Sequence, residues 1–167
     1  MLTRIFHPVG EALPAPDPAQ VSTLAARLEE AGRRRRGRPT SLLHVGTGGC
    51  GGCALELGAL DGPIWDMGRA GLAFVEVPAR ADMLLVTGSG ARNAAGPLRR
   101  AWEAMSGPRY VIAVGDCAAG DGGGGYAMTP GGVGAIVPID LVVRGSPPPP
   151  AAILLAVLTL AEAAVRS

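Results

Sequence analysis

Apolar residues along this chain come in short unbroken runs separated by glycine-rich or charged connections, the pattern of strands covered on both faces. Leu42 to Val45 reads as a first strand, Gly71 to Val77 as a second, Ala81 to Thr87 as a third and Tyr110 to Gly115 as a fourth. Ala135 to Val143 contains a fifth. Pro138 inside it cannot donate to a ladder, which implies an edge position or a strand broken at that residue. Helical spacing appears elsewhere. Leu98, Ala101, Trp102 and Met105 predict an amphipathic helix over Ala95 to Met105, and Val21, Leu24, Ala25 and Leu28 a shorter one over Val21 to Ala31. Ala151 to Val165 reads as a C-terminal helix entered from a proline run. Its uncharged stretch ends at Glu162, short of the ~20 residues that cross a bilayer, so burial against the sheet is expected.

Strands alternating with helices imply an α/β fold, an open parallel sheet with helices on both faces. The first strand is expected at its centre. Before it, Met1 to Gln20 carries Pro8, Pro14, Pro16 and Pro18 and reads as an extended arm lying on another surface. Arginine at five of the six positions from Arg33 to Arg38 reads as a basic connector, either solvated or facing anionic headgroups or an acidic partner. This divides the chain into an arm, short helix and connector over 1–38 and a single α/β domain over 39–167. In such sheets ligands sit beyond the carboxyl ends of the strands, at the topological switch point. The loops after strands one, three and four, bearing Cys50 and Cys53, Ser89 to Asn93, and Cys117, are therefore expected to meet on one edge.

Composition narrows the function classes. With 167 residues the chain can bury one proper core. A net charge of +1 and 4% aromatic residues supply neither a basic footprint nor a stacking platform, so nucleic acid is not expected as a partner. The 26 glycines and 15 prolines are concentrated in the connections, which suggests a loop-built site on a packed sheet. An odd cysteine count, 3, and no secretory apolar segment suit a reducing cytoplasm.

The densest chemistry lies in Leu42 to Leu57, where an apolar run ends in Gly-Thr-Gly-Gly-Cys50-Gly-Gly-Cys53-Ala-Leu-Glu56. Glycines beside thiols let backbone N–H groups approach closely, as a sulfur-rich cluster or an anion requires. A CxxC pair alone has several meanings. A structural zinc site would want a second close pair or histidines at ligand spacing, which His7 and His44 do not supply. A dithiol redox pair needs no third cysteine after a later strand. Three separated thiols fit an iron–sulfur site assembled by the fold, although they do not match the contiguous ferredoxin run. His44, on an apolar strand, reads as a core residue. Gly122 to Gly125 resembles a phosphate loop in composition only, lacking GxxxxGK[ST], and nucleotide binding there is rejected.

The stretches Gly-Cys-Gly-Gly-Cys-Ala-Leu-Glu, Ala-Asp-Met-Leu-Leu-Val-Thr-Gly-Ser-Gly-Ala-Arg-Asn, Tyr-Val-Ile-Ala-Val-Gly-Asp-Cys-Ala-Ala-Gly and Val-Pro-Ile-Asp-Leu-Val-Val-Arg-Gly-Ser-Pro-Pro-Pro-Pro occur in this order. Together they resemble the small iron–sulfur subunit of membrane-bound [NiFe] hydrogenases of the formate hydrogenlyase type, which is similar to the 20-kDa quinone-proximal subunit of NADH-quinone oxidoreductase. The resemblance implies a flavodoxin-like fold holding one [4Fe-4S] cluster beside a large catalytic subunit. It also implies membrane-arm subunits beneath and a peripheral place on the cytoplasmic face of the cell membrane. Carried over residue by residue, the cluster ligands are Cys50, Cys53, Cys117 and position 146, which is serine here. A hydroxyl is far less acidic than a thiol, so Ser146 leaves either a cluster with one altered corner or a scaffold without one.

Glu56 retains one of two carboxylates common in hydrogenase-type members; the other position is Ala54. Its expected role is a proton relay or an anchor for the large subunit, set against an exposed carboxylate in the first turn of a helix. Arg92 and Asn93 are candidate hydrogen-bond donors to the cluster or the large subunit, set against simply solvated loop residues, and Asp116 is a candidate for orienting the loop of Cys117, set against ordinary turn chemistry. The function expected is electron transfer within such a complex. The alternatives are a cluster-free structural subunit and a thiol oxidoreductase using Cys50 and Cys53.

Overall fold

The computed structural model describes residues 4–5, 18–49, 51–120 and 132–165. In chain order the elements are β1 (Arg4–Ile5), α1 (Pro18–Arg36), β2 (Thr40–Gly46), α2 (Gly52–Ala59), β3 (Leu72–Phe74), β4 (Met83–Thr87), α3 (Arg92–Glu103), β5 (Tyr110–Val114), α4 (Asp116–Ala119), β6 (Leu141–Val143) and α5 (Pro150–Val165). All strand pairs are parallel, in the order β1-β6-β5-β4-β2-β3. The five strands from β2 to β6 make the α/β core, and β1 extends it by pairing Arg4 with Val142 and Ile5 with Val143. Counted without β1, the order is the flavodoxin-like one.

Unbroken apolar runs take the middle of the sheet because only there are both faces covered. Leu84, Leu85 and Val86 of β4 and Val111, Ile112, Ala113 and Val114 of β5 have no exposed surface. On one face the sheet meets α1, α2 and α5 through Leu42, Met83, Leu85, Ile112 and Val114. Its other face meets α3 and α4 through Leu43, Leu84, Val86, Val111 and Ala113. In α5, Ile153, Leu154, Ala156, Val157, Leu158 and Ala161 are all at most 1% exposed. That helix is apolar because it is enclosed, and burying each of its larger side chains contributes roughly 1.5–3 kcal/mol.

Several sequence expectations change. β2, the first strand of the motif, is next to the edge rather than central, because the chain leaves it toward β3 on one side and returns to β4 on the other. The arginine run is not a connector as far as Arg36: α1 continues through it. Glu29–Arg33 and Glu30–Arg34 ion pairs at i,i+4 support that last stretch, and Gly37 N–H closes it on the Arg33 carbonyl at 3.0 Å. The second strand is shorter than Gly71 to Val77, and the fifth forms only beyond Pro138. α3 begins three residues before the expected Ala95, which puts Pro97 inside it.

The amino ends of β2 and β4 are closed by a polar clasp. Asp82, 2% exposed, accepts from Arg38 Nη1 at 2.9 Å and Nη2 at 3.0 Å and from Ser41 N–H at 2.8 Å. Arg38 Nη1 also donates to Ser41 Oγ at 2.7 Å, and Asp82 N–H donates to the Ser41 carbonyl at 2.8 Å. A buried carboxylate is tolerable here because its charge and lone pairs are met.

Candidate functional site

At the carboxyl ends the chain makes its joints from backbone and threonine. β2 runs out into Thr47-Gly48-Gly49, and β4 into Gly88-Ser89-Gly90. Thr47 N–H and Oγ1–H both donate to the Thr87 carbonyl, at 2.8 and 2.7 Å. Gly90 N–H donates to Thr47 Oγ1 at 3.0 Å, Ser89 N–H to the Gly48 carbonyl at 2.8 Å and Ala91 N–H to the Thr47 carbonyl at 2.9 Å. The two loops approach so closely that a β-carbon on Gly88, whose φ is +92°, would stand 2.0 Å from the Gly48 carbonyl oxygen.

A second joint ties the loop after β6 to the start of α4. Gly115 N–H donates to the Val143 carbonyl at 2.8 Å, Asp116 N–H to the Gly145 carbonyl at 2.9 Å, and Gly145 N–H to Asp116 Oδ1 at 3.2 Å. Arg144 Nη1 stands 3.7 Å from that same oxygen. Asp116, the first residue of α4 and the neighbour of Cys117, thus holds the loop after β6 through its side chain.

These joints frame a cavity of about 150 Å³ at the switch point between β2 and β4. Its walls are Gly46, Gly48, Gly49, Gly51 and Gly88 with Ala54, Thr87, Cys53 and Cys117. Cys53 is the second residue of α2 and Cys117 the second of α4, and both are half-buried. Gly115 explains how the sulfur of Cys53 fits. A β-carbon there would lie 2.4 Å from Cys53 Sγ. A larger groove, about 750 Å³, lies between α1 and the 63–69 segment and contains neither thiol.

The structure therefore brings Cys53 and Cys117 to one cavity. Cys50 lies outside the described residues, as does Gly122 to Gly125. Ser146 is exposed and is not part of the cavity wall, although its neighbour Gly145 is held against Asp116. Glu56 is half-buried in the second turn of α2, not its first. Arg92 and Asn93 are the exposed first residues of α3 rather than loop residues. His44 Nε2 is 2.9 Å from Thr87 Oγ1, and burial pulls its pKa below the usual 6.5. Thr47 and Thr87 were not singled out from sequence. The available signal was a threonine at or just after the end of an apolar strand, among glycines with no side chain to compete for the backbone.

Among the described residues no three His, Cys, Asp or Glu side chains gather as a metal-binding group. Two thiols on a cavity otherwise walled by glycine, alanine and threonine fit a sulfur-ligated cluster better than an aquated ion, which would want carboxylates. A cavity of this size admits a group about as large as benzene.

A family model described as NADH ubiquinone oxidoreductase, 20 Kd subunit, matches residues 50–160, which includes every cavity-forming loop from the first thiol onward. The chain belongs to this family. Within the 20-kDa subunit family it is similar to formate hydrogenlyase subunit 7 of Escherichia coli (strain K12), 35% identical over 142 residues. That match covers 83% of this chain and 55% of the relative, so the chain spans little more than half of that protein. It is 39% identical over 127 residues to the family's NADH-quinone oxidoreductase member from Desulfovibrio desulfuricans, covering 75% of this chain and 68% of the other. Among solved structures, a chain of the membrane-bound sulfane sulfur reductase, an archaeal respiratory membrane complex, superposes with a TM-score of 0.64 at 21% identity. That superposition covers 84% of this chain and 77% of that one, and it establishes a shared fold. No helix among the described residues is long and apolar enough to cross a membrane.

Proposed function

We propose that this chain is the electron-transfer subunit of a membrane-associated complex of the hydrogenase or NADH-quinone oxidoreductase type, with Cys50, Cys53 and Cys117 as ligands of a [4Fe-4S] cluster. The observation that carries this reading is the pair of half-buried thiols, Cys53 and Cys117, on one glycine-walled cavity at the switch point of the sheet. When bound, such a cluster supplies one-electron storage at a potential set by its ligands, the hydrogen bonds to its sulfurs and its exposure. Cys53 and Cys117 hold it from the first turns of two helices, and Gly115 leaves the room that the Cys53 sulfur occupies. The fourth ligand position would fall to Ser146 by the family resemblance. That residue is exposed and outside the cavity wall, next to Gly145, whose N–H is held by Asp116, so a cluster bound here would have one position open to water or to a partner.

Glu56, three residues beyond Cys53, is the carboxylate we assign to proton relay or to anchoring the large subunit. Leu55 beside it is 76% exposed, an apolar contact fitted to such a large catalytic subunit. Attachment to the cytoplasmic face of the membrane would come through membrane-arm subunits, in keeping with relatives that are subunits of formate hydrogenlyase and NADH-quinone oxidoreductase.

Anaerobic reconstitution with iron and sulfide, followed by iron and acid-labile sulfide assay and EPR, tests the reading. Wild type should take up a cluster, Cys53→Ala and Cys117→Ala should not, and Ser146→Cys should slow its loss on oxidation. A second reading, a cluster-free structural subunit, is favoured by the exposure of Ser146. Iron uptake by Ser146→Cys but not by wild type would establish that second reading. Uptake by neither would overturn the cluster assignment.

A further inference from the structure

His44 and Thr87 lie on neighbouring strands, on the sheet face that carries α2 and α5, and their hydrogen bond is left unused by the reading above. In register, His44 of β2 is paired with Leu85 of β4, so its ring reaches diagonally to Thr87, at the carboxyl end of β4. Thr87 is 5% exposed and forms part of the cavity wall. Its Oγ1 sits 2.9 Å from His44 Nε2 and 4.0 Å from where a β-carbon on Gly46, another wall residue, would lie. The carbonyl of the same residue is already taken by the two Thr47 donors. The hydroxyl therefore has only His44 as a side-chain partner among the hydrogen bonds described, and a hydroxyl has one proton to give and room to accept.

We infer that His44 and Thr87 are positioning residues for the group held by the thiols: His44 Nε2–H donates to Thr87 Oγ1, which turns the Thr87 hydroxyl proton into the cavity as a donor to a sulfur. This rests on the cluster reading above. The opposite polarity would aim hydroxyl lone pairs at an anionic cluster, and it is disfavoured by simple repulsion. Burial favours the neutral ring, which has one N–H to place, and placing it on Nε2 satisfies Thr87 while leaving Nδ1 as the acceptor. A donor to a cluster sulfur stabilises the more negative, reduced state, so the pair sets the potential upward. Strands β2 and β4 hold both residues, which makes the donor rigid.

The test is redox titration and proton ENDOR of the anaerobically reconstituted full chain, exchanged into H2O and D2O. Thr87→Val should shift the midpoint potential downward and delete one exchangeable proton coupling, while Thr87→Ser should keep both near wild type. His44→Leu, which leaves the hydroxyl but not its orienting partner, should give a smaller downward shift. If valine disturbs the fold, Thr87→Ala makes the same comparison without a branched apolar side chain. Wild type and Thr87→Val with the same potential and the same couplings would overturn the inference and leave the cluster reading standing. Wild type that binds no iron would overturn the cluster reading, and this inference with it.

Discussion

At the amino end of the strands Arg38, Ser41 and Asp82 satisfy one another through side chains, whereas at the carboxyl end the loops after β2 and β4 are joined by backbone groups and Thr47. The first arrangement fills its space. The second leaves a cavity of about 150 Å³ with two thiols on its wall. Glycine is what separates the two ends: without side chains the carboxyl-end loops meet backbone to backbone, and no side chain of theirs fills the space they enclose. A clasp of charges stabilises a fold but offers nothing to a ligand, because its donors and acceptors are already used.

The comparison breaks most readily at Gly88. Gly88→Ala combines a positive φ with a β-carbon 2.0 Å from the Gly48 carbonyl, and it should cost about 2–5 kcal/mol in urea unfolding. A loss under ~1 kcal/mol would mean that the two loops are not held as closely as described. At the other end, Asp82→Ala should cost about 2–3 kcal/mol, since it strands the Ser41 N–H while the half-exposed Arg38 can turn to water. Ser41→Ala removes only an acceptor of Arg38, which keeps Asp82, and should cost about 0.5–1 kcal/mol by the same measurement. If Ser41→Ala matched Asp82→Ala, the clasp would owe its strength to the hydroxyl and not to the buried carboxylate.

The smallest effect concerns His44. Its folded pKa lies below the usual 6.5 because burial disfavours the charged ring. As pH falls below 6.5 the unfolded chain takes up a proton that the folded chain does not, so stability decreases; above 6.5 this residue contributes no slope. His44→Gln should therefore flatten the stability profile on the acid side only. An unchanged acid slope in that variant would show that the ring is well solvated.

Sequence alone determined the fold class and which strand ends would frame a cavity. Unbroken apolar runs such as Leu84 to Val86 can be stable only with both faces covered, and the glycines around Cys53 and before Cys117 mark strand ends that a cavity can occupy. Local pattern also led to the enclosed α5, because its uncharged stretch is too short for a bilayer. It misjudged the arginine run, since i,i+4 pairing with Glu29 and Glu30 sustains a helix that composition reads as a linker. Strand order was beyond it: whether β2 or β4 occupies the middle depends on which side each crossover returns, and that is decided by the packing of helices on both faces. Only the tertiary structure made Thr87 a partner of His44 and Asp82 a partner of Arg38, 43 and 44 residues apart. Such pairs leave no local pattern, because the hydrogen bond is set by the register of two strands and not by the spacing along either one.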